Sequence, residues 1–344
     1  MNRTHLSMLL VLTLTICALL SGCAKQTAAP VAETITVKDQ LDRTVTVPKN
    51  ITKVTGTHLF GPGVVYALGE GDKLVDHAIG GKLGDALDTI DPDYAAKPVV
   101  SQGMNYNIES VIALNPQVAF VYAYTEKDLI GRFENAGIKV VAVKGETMAE
   151  SYEAIRLISK VLGCEDKGEA YIAECNKLLK LVNDRVGKVA EDKKPLVMFA
   201  GPKSVYTVAS GDMLDSALME MAGGVSVSKD LKGFWTEVSP EQVATWNPEI
   251  IILGSTWDTY GEDQIYKNPH FQTVRAIQNK KVYSMPSNIG WWDFPAPNCV
   301  LGVVWMGKTL YPEKFADVNM TQVADDFYKK FYGHTFTEMG GKLE

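Results

Sequence analysis

Few residues of this 344-residue chain have the types and spacing that bond-making chemistry requires. Gly302–Thr309 reads GVVWMGKT and fits the G-x-x-x-x-G-K-[ST] spacing of a phosphate-binding loop. Such a loop needs a strand running into a glycine-rich turn that opens a helix. Here the variable positions hold Val303, Val304, Trp305 and Met306, and the stretch reads as one helix between Pro297 and Pro312. No G-x-S-x-G elbow and no H-E-x-x-H pair occurs. His58, His77, His270 and His334 have no evident partner in the sequence. His58 and nearby tyrosines have the atoms to ligate a haem iron, but no cluster has the spacing of a dedicated metal site. The expectation is a protein that is not an enzyme, with no catalytic residues, no resident metal and no cofactor beyond a bound ligand.

What the chain does concentrate is aromatic surface in loops. SNIGWWDFPAP, Ser287–Pro297, sets Trp291 beside Trp292. Neighbouring residues point to opposite faces of a strand, or about 100° apart on a helix, so the pair does not sink easily into one core. Loops after apolar, β-rich runs carry the rest. In the first half they hold His58 and Phe60, Met104 and Tyr106, and Tyr122 and Tyr124. In the second half they hold Tyr206, Phe234 and Trp235, Trp257 and Tyr260, then Trp291, Trp292 and Phe294. In open α/β sheets, ligands bind at the carboxyl ends of strands. Rings of about 150–250 Å² each, converging there, suit a large or flat ligand. None of the chain's six arginines falls in these loops. A strongly anionic ligand usually calls for guanidinium forks, so the lining leans toward a neutral or weakly charged one. Lys203 and backbone N–H groups keep a molybdate-type oxyanion open as the alternative.

The elements that position these loops occur twice. IESVIALNPQVAFVY, Ile108–Tyr122, matches PEQVATWNPEIIILG, Pro240–Gly254, in the pattern Glu-x-Val-x-x-x-Asn-Pro followed by an apolar run. Each predicts a short helix, a stop and a strand buried on both faces. Asn107 and Ser239 are candidate N-caps, with Pro240 at the first helical position. AGIKVVAV and QNKKVYSM repeat a turn into a strand in the same order. Strands alternating with helices predict an α/β fold of two similar lobes, each a mainly parallel sheet flanked by helices. Between them, Glu165–Lys194 has apolar residues at 3–4 spacing and predicts one long, stiff helix. The expected division is 1–22 leader, 23–34 tether, 35–164 first lobe, 165–194 connecting helix and 195–344 second lobe.

The amino-terminal 22 residues have the features of a removable signal: Arg3, then an apolar run Met8–Leu19 that is short for a membrane span. LLSGC, Leu19–Cys23, matches the lipobox of bacterial lipoproteins, which implies lipid on Cys23 and a mature chain of 322 residues. Ala24–Thr34 reads as a flexible tether. The net charge is −7, which argues against nucleic acid as a partner. Cys164, Cys175 and Cys299 remain after Cys17 and Cys23 and read as free thiols, with a Cys164–Cys175 bridge left open.

Lipobox, two related lobes, a long joining helix and a glutamate in the first turn of each repeated helix together resemble the class III substrate-binding proteins of ABC importers. These are receptors for ferric siderophores, haem and cobalamin. The resemblance covers nearly all of the mature chain, and QGMNYNIESVIALNP looks like the corresponding segment of cobalamin-binding proteins. It implies a monomeric, lipid-anchored receptor on the extracytoplasmic membrane face that hands a small-molecule metal complex to a permease and its ATPase. It also implies that Glu109 and Glu241 pair with permease arginines. An acid in a first helical turn is favoured by about 0.3–1 kcal/mol without any partner.

Overall fold

The apolar runs fold as two sheets whose alternate residues feed different cores. In the first sheet Val118–Tyr122 lies between the parallel strands Val54–Gly56 and Lys139–Val143. Val118, Phe120 and Tyr122 face one core; Ala119 and Val121 face another, under the helices Ile108–Ala113 and Lys127–Asn135. In the second sheet, Leu196–Ala200 and Ile250–Leu253 are central and parallel, flanked by Val225–Ser226 and Val282–Ser284. Thr207–Val208 and Thr236–Glu237 extend that sheet in the antiparallel sense. Again the strands alternate: Val197, Phe199, Ile250 and Ile252 join the same core as Phe120, while Met198, Ala200, Ile251 and Leu253 face a core of the second lobe alone. A single apolar core therefore runs from one sheet to the other.

This computed structural model describes residues 33–102, 105–201, 203–254, 260–286 and 288–343. The leader, Cys23 and nearly all of the 23–34 tether lie outside the described residues, as do Met104 and Trp257. Thr34 already opens a strand, Thr34–Lys38, paired antiparallel with Thr44–Pro48. Among the described residues no helix is long and apolar enough to cross a membrane.

The internal repeat is a repeat of structure. Asn107 caps Ile108–Ala113 by accepting the Ser110 N–H at 3.2 Å, and Ser239 caps Pro240–Trp246 by accepting the Gln242 N–H at 3.2 Å. Both Asn-Pro pairs end their helices with asparagine in the left-handed region, Asn115 at φ 55° and Asn247 at φ 46°. Asparagine tolerates that conformation at a helix end, and proline prevents the helix from resuming. The stretch GVVWMGKT lies inside the helix Val300–Leu310, as its apolar filling implies.

The long helix runs Glu165–Val186 and buries Tyr171, Ile172, Cys175, Leu178, Val182 and Val186. It stops short of the expected Lys194. Glycine at 187 is a weak helix former, and the chain then forms only a 3-10 turn, Glu191–Lys193, before the strand at Leu196. The helix packs on Met148–Leu162 near the first sheet and on Val300–Leu310 near the second. The last helix, Met320–Tyr332, crosses back onto Phe60–Ala67.

Close packing makes glycine substitutions diverge. A Cβ at Gly302 would lie 2.2 Å from the Trp292 carbonyl oxygen, whereas one at Gly131 meets nothing within 4 Å. Gly302→Ala is expected to lower unfolding free energy by about 2 kcal/mol or more through overpacking. Gly131→Ala, in an uncrowded helix interior, is expected to raise it by about 0.5–1 kcal/mol. Urea unfolding midpoints of the two variants check the contrast.

Candidate ligand cleft between the lobes

Three strands of the first sheet and three of the second end in loops that meet. Thr57 and His58 follow Val54–Gly56, Tyr124 follows Val118–Tyr122, and Gly145 and Glu146 follow Lys139–Val143. A Thr57–Thr125 hydroxyl pair at 2.8 Å ties the first two loops together. From the second sheet come Gly201, Gly254 and the loop Ile289–Asn298.

Rings from the two lobes are in contact. The His58 ring lies 4.3 Å from Tyr122 of its own lobe and stacks at 5.4 Å on Phe294 of the other. Tyr124 meets Phe234 edge-on at 5.8 Å, again across the lobes. Trp291 stands edge-on to Phe294 at 5.3 Å. Its ring also covers Gly81, where a Cβ would be 3.1 Å away. Gly81 opens the helix Gly81–Ile90 at φ 67°, a value that favours glycine. The Trp291 indole nitrogen is buried and has no hydrogen-bond partner among the described residues.

Burial moves the ionisable groups here toward their neutral forms. His58 accepts the Phe60 N–H on Nδ1 at 3.2 Å, so the neutral ring carries its proton on Nε2. Burial pushes the His58 pKa down to about 4. The Tyr122 hydroxyl donates to Glu146 Oε1 at 2.5 Å and accepts the Gly145 N–H at 3.2 Å. Burial raises the Glu146 pKa, against the lowering effect of the Tyr122 bond, and Glu150 adds to the rise. Asp215 and Asp293 are 5 % and 3 % exposed. Burial, then the neighbouring Asp293 carboxylate, pushes the Asp215 carboxyl well above the usual range.

Of the residues expected to line the cleft, His58, Tyr124, Trp291 and Phe294 come together as one group. Five others need separate statement. Phe60 is fully buried at the start of the helix Phe60–Ala67, with its ring beneath Gly145, so it supports the cleft from behind. Trp292 is 0 % exposed, and its indole N–H donates to the Tyr328 hydroxyl; it is core, as the opposed directions of neighbouring side chains require. Tyr206 packs edge-on to Phe271 at 5.3 Å and bonds Asn268, which keeps it with the second lobe's own core rather than the ring group. Trp235 covers Gly201 at the end of its strand, where a Cβ would strike the ring at 2.2 Å. Tyr106 is half-buried in the hairpin Ser101–Gln102/Asn105–Tyr106. Burial and the Asp76 carboxylate raise the pKa of its hydroxyl. Among the described residues no group of three acids, histidines or cysteines could hold a metal.

Glu146 and Asp215 were not anticipated. Glu146 follows an apolar strand and was open to the rule that found the aromatics. Asp215 reads in sequence as an ordinary first-turn acid, and only its burial sets it apart. Glu109 and Glu241 both occupy exposed first turns. Glu109 is engaged by Arg132 at 2.5 Å. The Glu241 carboxyl is held below its usual range by backbone amide hydrogen bonding and the Ser239 hydroxyl.

Two α/β lobes with aromatic loops at their facing strand ends have the architecture of a two-lobed binding protein. Comparison with known proteins gives its family: residues 57–289 match the periplasmic binding protein family, and the chain belongs to it. The molybdate-binding protein MolA of Haemophilus influenzae is 30% identical over 322 residues, covering 86% of this chain and 90% of that one. Its molybdate-bound structure superposes with a TM-score of 0.74 over 88% of this chain and 98% of that one, at 26% identity. A periplasmic solute-binding protein of Veillonella parvula gives a TM-score of 0.76 at 27% identity, over 90% of this chain and 97% of that one. The chain is thus a non-enzymatic substrate-binding protein of an ABC transporter.

The His58 ring is neutral in the fold, and its ordinary pKa of about 6.5 applies when unfolded. Its depressed value means the associated stability is full above about pH 6.5 and lost as pH falls toward 4. With part of the ring exposed, the loss is at most about 3 kcal/mol. His58→Gln should flatten the pH dependence of the urea midpoint between pH 4 and 6.5 relative to wild type; identical slopes would contradict this.

Proposed function

We propose that this protein captures a compact oxyanion of the molybdate type in the interlobe cleft and delivers it to an ABC permease. The observation that carries the reading is the contact of rings across the cleft, His58 on Phe294 and Tyr124 on Phe234, beside a buried Trp291 N–H that lacks a partner. Rings already in contact favour a small ligand over a corrinoid. An unpaired buried donor costs about 1–3 kcal/mol, which a ligand oxygen would recover. The relative at 30% identity that binds molybdate supports the same ligand class. Recognition through neutral donors is consistent with carboxyls at Glu146 and Asp215 whose pKa values are raised by burial. A metal chelate or corrinoid is the second reading, favoured by the aromatic lining.

The anchor, docking and division of the chain belong to the same proposal. Cys23 carries lipid on the extracytoplasmic face of the cell membrane, the receptor acts as a monomer, and Glu109 and Glu241 present carboxylates to permease arginines. The lobes are 35–164 and 195–344, with the segment 165–194 between them.

Calorimetric titration of the purified chain with sodium molybdate, cobalamin, haem and a ferric hydroxamate decides the ligand. Saturable one-to-one binding of molybdate alone is expected. Binding of a chelate without molybdate would reverse the ranking. Molybdate affinity should fall as pH rises, because ionised Glu146 and Asp215 would repel the anion. Glu109→Ala combined with Glu241→Ala should leave binding intact and reduce uptake in cells. Wild-type uptake would remove the docking assignment.

A further inference from the structure

The residue that aims the cleft loop is not in the cleft. Tyr328 lies on the last helix, fully buried, and its hydroxyl makes three hydrogen bonds to one loop. It accepts from Trp292 Nε1 at 3.2 Å and from Asn298 Nδ2 at 2.7 Å, and donates to the Ile289 carbonyl at 2.7 Å. One hydroxyl has one donor and two acceptor positions, so this group is saturated. The three bonds fall at the beginning, the middle and the end of the loop Ile289–Asn298. Trp291 and Phe294 lie between the tied points. Once Trp292 is anchored inward, its neighbour Trp291 must point elsewhere, and it covers Gly81 beside Phe294.

We propose that Tyr328 is a positioning residue for ligand binding: its hydroxyl holds the loop so that Trp291 and Phe294 meet the ligand. The assignment rests on the interlobe cleft being the ligand site. Tyr328 touches no ligand itself. Its ring packs against Phe327, Tyr332 and Phe336, contacts that phenylalanine would keep. Removing the oxygen alone leaves the Trp292 N–H, the Asn298 amide and the Ile289 carbonyl to find new partners, and they do so by moving the loop. Tyr332 supplies a matched control. It sits one turn away on the same helix, stacked on Tyr328, and its buried hydroxyl has no partner among the described residues.

The test compares wild type, Tyr328→Phe and Tyr332→Phe in the full chain. Sodium molybdate affinity is measured by calorimetry. Near-UV circular dichroism and acrylamide quenching of tryptophan are measured without ligand, and far-UV dichroism monitors folding. Tyr328→Phe is expected to stay folded, weaken molybdate binding about tenfold or more, alter the near-UV spectrum and admit more quencher. Tyr332→Phe should match wild type within about twofold in every readout. Unchanged affinity and an unchanged aromatic spectrum in Tyr328→Phe would overturn the proposal, as would equal losses in both variants. If wild type fails to bind molybdate, the ligand reading falls, and the spectrum and quenching still decide the role of Tyr328. Should Tyr328→Phe not fold, Asn298→Ala removes a single tie and carries the same expectations at about threefold.

Discussion

The structure depends on one apolar core shared by both sheets. Each central strand alternates, and one face of each sheet turns toward the same buried mass. The long helix Glu165–Val186 fills the space between Met148–Leu162 and Val300–Leu310, and Met320–Tyr332 closes the remainder against Phe60–Ala67. Separating the lobes would expose this core at about 25 cal/mol for each Å² uncovered. That cost, rather than any single bond, fixes the angle at which the two sets of loops face one another.

Pro297 marks where this constraint reaches the cleft. Gly63 of the first lobe packs so closely on it that a Cβ would lie 3.3 Å from the proline ring. The Tyr171 hydroxyl of the long helix donates to its carbonyl oxygen. Two parts of the fold thus converge on the base of one loop. Such a loop has little freedom to follow a ligand, so the cleft is largely preformed, and little binding energy is spent on ordering it.

Burial biases the ionisable groups around the cleft loops toward their neutral forms. Desolvation opposes the charged form of every group, so burial lowers the pKa of a histidine and raises that of a carboxyl. His58, Glu146 and Asp215 all move in the neutral direction. The outer acids behave differently. Glu109 and Glu241 are exposed; Glu109 pairs with Arg132, and hydrogen bonds hold the Glu241 carboxyl below its usual range.

Local order was legible where a local rule decides it. The duplicated Glu-helix and strand, the caps at Asn107 and Ser239, the left-handed Asn-Pro stops and the buried parallel strands follow from side-chain hydrogen bonding, proline sterics and two-residue alternation, which act within a few residues. The same rules singled out His58, Tyr124, Trp291 and Phe294, whose rings come together, because they follow strand ends. The destinations of Phe60, Trp292 and Tyr206 were decided by tertiary packing. Phe60 is covered by Gly145, Trp292 is bound by Tyr328 from more than thirty residues away, and Tyr206 is held by Phe271 and Asn268. Tertiary structure likewise gave Glu146 and Asp215 their importance, since a pKa shift comes from burial and neighbours that adjacent residues do not specify. The sequence by itself determined which loops carry the aromatic surface. Only the shared core, which sets the distance and angle between the sheets, decided which of those rings meet.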